Sequence, residues 1–432
     1  MRKASFPGGV HPPENKLTSH ISIKEFPIPD EVVIPLQQHI GAPNQPLVKK
    51  GDRVFTGTLI GKSEKYISSP IFSSITGVVE DIGNYPHPVL KRAPAIRIRR
   101  EGEDELDPVI KPPSHPEELT PEELRRIVWE KGIVGMGGAA FPTHVKLSPP
   151  PEKKIDTLII NGAECEPYLT CDERLMIERG EEIVRGVEII VKILSPKRVI
   201  IAIEDNKPEA IEKMRKCVEG KGNFEVKELK TKYPQGGEKQ LIKALLNREV
   251  PSGGLPFDVG VLVQNVGTCL AIFEAVYKGK PLYERVVTVS GQVENPGNYK
   301  VRLGTAVRKV IEWTGGWREN GDLVIFGGPM MGIAQSSLDV PVIKGTTGIL
   351  FLQSEKWVEY PCVRCGRCVD VCPVRLIPTQ IMKAVKFGNI ELLKEYHVLD
   401  CIECGSCAYI CPAQIPLVQY IKVGKEILRR KK

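Results

Sequence analysis

The 432-residue chain has no run of 18 or more apolar residues. Its most apolar segment, residues 259–277, is interrupted by Gln264, Asn265 and Glu274, so no membrane-spanning helix is expected. The opening MRKASFPGGVHPPENK lacks the apolar heart of a secretory leader. Aromatics are sparse, 6% of the chain, and no dense basic stripe interleaves with them, which argues against nucleic acid as a ligand. Net charge is only +7, and part of it sits in the closing KVGKEILRRKK. That tail reads as a solvated helix end rather than a docking patch for lipid or an acidic partner. Cysteine, in contrast, is plentiful at twelve residues. Cys165, Cys171, Cys217 and Cys269 are scattered singly, as small buried fillers would be.

The other cysteines form two quartets. CVRCGRCVDVCP carries Cys362, Cys365, Cys368 and Cys372; CIECGSCAYICP carries Cys401, Cys404, Cys407 and Cys411. Each is the C-x2-C-x2-C-x3-C-P run of two-cluster ferredoxins, in which three thiolates hold one cube and the fourth reaches the neighbouring one. Zinc sites show paired C-x2-C instead, and disulfide frameworks suit short secreted domains. The spacing therefore predicts two [4Fe-4S] clusters: one on Cys362, Cys365, Cys368 and Cys411, the other on Cys401, Cys404, Cys407 and Cys372. Thiolate ligands in this number suit a reducing cytoplasm.

Upstream, short β-branched runs separated by Gly, Pro and Asn turns predict β-structure over about the first 100 residues. LVKKGDRVFTGTLIGK and SSPIFSSITGVVEDIG resemble the barrel-sandwich fold of lipoyl and biotinyl carriers. The segment 66–74, where carriers present their acceptor lysine, has none, so a scaffold or docking role is expected. A Pro- and acid-rich linker over residues 102–121 leads to Thr120-Pro121-Glu122-Glu123, a helix start. Strands at 154–161, 197–203 and 223–229 then alternate with helices at 178–194, 207–217 and 237–246. This alternation predicts a parallel sheet with ligands at its carboxyl ends. Residues 279–350 resemble the soluble-ligand-binding β-grasp module and include FGGPMMG, whose paired thioethers read as packing. The spacer between the quartets predicts two short helices joined at Gly388-Asn389. It resembles the helical ferredoxin domains of succinate dehydrogenase-type subunits.

Residues 135–142 read GMGGAAFP. Glycines let backbone N–H groups approach an anion, yet they serve ordinary tight turns equally well. Three later segments keep it company, and residues 120–350 together resemble the flavin-binding subunit of complex I. That family's G-R-G-G-A-G-F-P-T-G-x-K is met by Gly135, Gly137, Gly138, Ala139, Phe141, Pro142, Thr143 and Lys146; Met136, Ala140 and His144 depart from it. Its N-A-D-E-G-E-P-G corresponds to residues 161–168, with Ala163 in place of a carboxylate. Its Y-x-x-G-E-E corresponds to residues 233–238, with Gly237 in place of another, and its N-N-V-E-T to residues 264–268. The resemblance implies a non-covalent FMN held by Gly135, Gly137, Gly138, Lys146, Asn161, Glu164, Gly236, Gly237, Gln264, Asn265 and Thr268. It directs Phe141, Glu166 and Glu238 toward NADH. A flavin takes electrons in pairs and gives them singly to clusters; no acid–base side chain is required, and none is assigned.

The whole order of segments is similar to the C subunits of Rnf electron-transport complexes, the ion-translocating ferredoxin:NAD oxidoreductases. The fold expected is multidomain α/β: a barrel-sandwich unit (1–101), a Rossmann-like FMN/NADH-binding α/β unit (117–278), a β-grasp module (279–352) and a helical 2[4Fe-4S] ferredoxin-type unit (353–432). The resemblance implies a peripheral subunit on the cytoplasmic side of the cell membrane. Its partners would be an iron–sulfur subunit and integral membrane subunits. Two rivals remain: a flavin subunit of a soluble NAD-linked hydrogenase or formate dehydrogenase, and a non-catalytic wiring subunit whose flavin site is vestigial.

Overall fold

The structure, a computed structural model, describes residues 3–318 and 321–430; Lys431 and Lys432 of the basic tail lie outside them. The described residues build four sheets. In the first unit, strand Glu31–Pro35 and the long hairpin of strands Gly77–His87 and Lys91–Arg100 pair antiparallel, and a three-stranded sheet covers them. Val32, Ile34, Ile60, Ile71, Ile75, Ile96 and Ile98 fill the space between.

The second unit is a four-stranded, all-parallel sheet. Its spatial order is Phe224–Leu229, Arg198–Glu204, Thr157–Gly162, Val261–Asn265. Both faces are covered, so neighbouring residues of one strand serve different cores: Leu158 and Ile160 one, Ile159 the other. The expected helix at 178–194 begins earlier and spans Cys171–Leu194. Helix Pro121–Glu130 starts as its sequence predicts, with a Thr120/Glu123 capping box.

Residues 284–352 supply five strands of a six-stranded mixed sheet, together with helix Val307–Trp313. Its outermost strand, Lys24–Glu25, comes from the far end of the chain. Residues 3 to about 26 thus do not enter the barrel-sandwich core. They run as a strap along the α/β unit, with Ala4 bridging to Leu229 and Val10 to Tyr233. The last unit packs helices Pro378–Lys386, Ile390–Glu395 and Leu417–Arg430 around Ile381, Leu393, Val398, Leu417 and Ile421. Gly388 and Asn389 separate the first two helices, with Asn389 capping the second. Among the described residues no helix is long and apolar enough to cross a membrane.

Candidate functional site

The parallel sheet has a topological switch between strands Thr157–Gly162 and Val261–Asn265, since the chain leaves the first strand in one direction and returns on its other side. Ligand crevices open at the carboxyl ends of such strands. There Asn161 and Asn265 are register partners. Asn265 caps helix Val266–Tyr277, accepting from the Gly267 and Thr268 amides, and donates to Asp172 at 2.6 Å. Asn161 donates to the Gly236 carbonyl at 2.9 Å and accepts from the Ala163 amide. The 135–142 loop folds over the same end. Its base is tied where the Met136 amide donates to Thr268 Oγ1 (2.9 Å) and Arg285 donates to the Met136 carbonyl. Gly137, Gly138 and Ala139 stay exposed, and Gly138 adopts φ +104°, a conformation glycine alone takes freely.

These elements bring Gly135, Gly137, Gly138, Asn161, Gly236, Gln264, Asn265 and Thr268 to one end of the sheet. Gln264 is 2% exposed, and its Nε2 has no hydrogen-bond partner. A buried amide of this kind fits a ligand that presents acceptors, as a flavin ring edge does.

Other expected contacts are turned inward. Glu164, at φ +46°, accepts from the amides of Asp172 (2.7 Å) and Glu173 (3.1 Å), and so caps the Cys171–Leu194 helix. Burial, then the Glu164 charge, pushes the Asp172 carboxyl up to about 7. Lys146 pairs with Glu238 at 2.6 Å, although the resemblance implies flavin for one and nucleotide for the other. Phe141 is half-buried. Gly237 is the N-cap of helix Glu238–Leu246.

Glu166, expected toward the nucleotide, accepts from the amides of Met330 (3.0 Å) and Met331 (2.9 Å) in the FGGPMMG loop. Burial pushes its carboxyl up to about 7. Gly328 makes this approach possible, because a Cβ there would fall inside the Glu166 carboxylate.

Three residues to which the sequence assigned no contact, among them Tyr233 of the 233–238 match, complete the frame. Lys16, from the strap, donates to the carbonyls of Glu164, Glu166 and Leu169. Lys344, fully buried, donates to Ser69 Oγ, Pro70 O and Gly132 O, fastening the carrier-like tip to the glycine turn. At the same junction Tyr66 O bonds His144 Nε2 at 2.9 Å, and His144 stacks on Trp129. Tyr233 is the third. A lone Lys or Tyr in a loop carries no local signal of such long-range contacts.

One group of thiols draws on both quartets. Cys372, Cys401, Cys404 and Cys407 line a single cavity with Pro373, Val374, Val418 and Ile421. Cys368 lies close enough to Cys365 and Cys411 to feel their charges. Among the described residues no disulfide joins any cysteine. The two quartets repeat each other's backbone: Arg364 and Glu403 take positive φ, as do Gly366 and Gly405. The first pair turns an amide toward sulfur, Arg364 N to Cys362 Sγ at 3.4 Å and Glu403 N to Cys401 Sγ at 3.3 Å. Amides aimed at sulfur and a four-thiol cavity both fit iron–sulfur cubes. The quartets differ in setting: Cys404 and Cys407 are buried, whereas Cys362 and Cys365 are exposed.

Comparison with known proteins gives four family profiles along the chain. They are the RnfC barrel sandwich hybrid domain over residues 4–103, the Nuo51 FMN-binding domain over 128–274, the SLBB domain over 286–334 and the 4Fe-4S dicluster domain over 361–415. The chain is 52% identical to the C subunit of the proton-translocating ferredoxin:NAD(+) oxidoreductase complex of Clostridium ljungdahlii, over 97% of its own length and 93% of the relative's. It is 43% identical to the Na(+)-translocating counterpart of Acetobacterium woodii, over 100% and 99%. A chain of the NAD+-reducing [NiFe]-hydrogenase in its air-oxidized state shares the fold at TM-score 0.52 and 18% identity. That match covers 70% of this chain and 63% of the hydrogenase chain.

Proposed function

Given that the chain belongs to the C-subunit family of ion-translocating ferredoxin:NAD(+) oxidoreductase complexes, we propose that it is the electron-input subunit of such a complex. In this reading electrons pass between NAD(H), FMN and two [4Fe-4S] clusters. The observation that carries it is the graded burial of the thiols: Cys404 and Cys407 are buried, Cys404 against Tyr233 of the flavin-type unit, whereas Cys362 and Cys365 are exposed. In this reading the buried cluster exchanges electrons with the flavin and the exposed one with a partner.

FMN supplies the conversion between paired and single electrons. The chain's own residues hold and orient: the 135–138 backbone and Thr268 frame the phosphate end, Asn161, Gln264 and Asn265 offer amides to the ring, and Phe141 flanks the nucleotide. Lys146 and Glu238 exchange their mutual pair for ligand contacts when FMN and NADH arrive. Glu164 and Glu166 stand behind these groups and shape their loops. The exposed quartet faces an iron–sulfur partner subunit, and integral membrane subunits anchor the assembly at the cytoplasmic face.

The wiring reading draws on the internal engagement of Lys146, Glu164 and Glu166. One experiment separates the two. The purified chain is loaded with iron, sulfide and FMN, NADH is added, and flavin absorbance and cluster EPR are followed. Flavin bleaching with cluster reduction supports electron input; a chain that retains both clusters but no flavin is a wiring subunit.

A further inference from the structure

We propose that Tyr233 is a positioning residue for the buried cluster, holding the loop of Cys401, Cys404 and Cys407 against the flavin-type unit through its phenol. The phenol O–H donates to the Cys404 carbonyl at 2.8 Å, and Tyr233 is 1% exposed. Its own placement is fixed from both sides. The Val10 amide donates to the Tyr233 carbonyl (2.8 Å) and the Tyr233 amide to the Val10 carbonyl (2.9 Å). Val10, Tyr233 and Cys404 share one apolar cluster, with Cys165, Met330 and Val371 packed against it. The strap continues to the fourth thiol: Gly9 N donates to Val371 O at 2.8 Å, and a Cβ on Gly8 would sit 2.9 Å from Cys372 O.

A phenol donor in this dry seam acts on the cluster through the peptide of one of its ligands. Its positive dipole end faces the cluster loop, which favours added negative charge there. Hydrogen bonds and burial are what set cluster potentials. Removing the hydroxyl takes away the donor that the buried Cys404 carbonyl has from the flavin-type unit.

The inference rests on the proposed two-cluster reading. The test uses the full chain loaded with iron and sulfide: wild type, Tyr233→Phe, and Tyr420→Phe as a phenol control on the cluster unit's surface. Cys372→Ser and Cys411→Ser assign the two EPR signals. Iron content, EPR and a redox titration are read for each. Tyr233→Phe is expected to keep both clusters while the buried one changes its EPR line shape and moves to a lower midpoint potential; Tyr420→Phe moves neither. Loss of the buried cluster alone also supports the assignment. Two unchanged signals, or loss of both clusters together, overturn it. A wild-type chain that takes up fewer than two clusters defeats the two-cluster reading itself, and this inference with it.

Discussion

Lys146 Nζ lies 2.6 Å from Glu238 Oε1, and the pair is only partly shielded from solvent. It joins the helix after the glycine loop to the start of helix Glu238–Leu246, across the end of the sheet where the flavin amides converge. If Lys146 leaves this partner for a phosphate, the pair competes with FMN. Lys146→Met should then weaken FMN binding roughly tenfold, the scale of one charge-assisted hydrogen bond. Glu238→Gln should tighten it, because the lysine is released. Fluorescence titration of the two variants reads both directions; equal affinity in all three proteins would remove Lys146 from the site.

Cys372 belongs by sequence to the first quartet and by cavity to the second. Cys372→Ser should therefore abolish the buried cluster and spare the exposed one, lowering iron from about eight to about four per chain. Iron analysis with EPR decides this. Loss confined to the exposed cluster contradicts crossed ligation.

Gly328 leaves room for the Glu166 carboxylate, which holds the two methionine amides. Gly328→Ala forces the carboxylate aside and should cost about 1–3 kcal/mol, as overpacking commonly does. A lower Tm and faster protease cleavage at residues 328–332 are expected. An unchanged Tm would show that the loop has slack.

Burial pulls the Lys344 amine down to about 7 from an ordinary 10.5. Between those values the unfolded chain binds the proton and the folded chain does not, so stability rises with pH across the window. Below pH 7 both states are charged and the contribution is flat. Relative to Lys344→Met, the wild-type Tm should climb from pH 7 to pH 9.5 and hold a constant offset below pH 7. A constant offset across the whole range would mean that the buried amine keeps its proton.

The iron–sulfur domain was readable because its signature is local: a cube needs thiolates within one tight turn, and the code for that turn lies in consecutive residues. The alternating strands were readable for a similar reason, since strands buried on both faces, such as Thr157–Gly162, are written as apolar runs. The glycine loop and the strand ends were found by their resemblance to a known flavin subunit. Hidden in the sequence were contacts made across large separations. Glu166 meets the amides of Met330 and Met331, Lys344 meets the tip of a unit that precedes it by more than two hundred positions, and Lys16 meets three carbonyls of a loop far downstream. Each depends on how whole units dock, which no window of residues encodes. The carrier-like tip shows the limit well. Its missing lysine excluded a swinging arm, yet nothing in residues 66–74 announced His144 and Lys344 as its seat.

The strap that flanks Cys372 comes from residues 8–10, while Val371 and Cys372 lie near the opposite end of the chain. During synthesis residues 8–10 leave the ribosome before residues 371 and 372 and must wait for that partner. The seat of the buried cluster therefore closes through a contact of very high sequence separation, of the kind that forms late in folding.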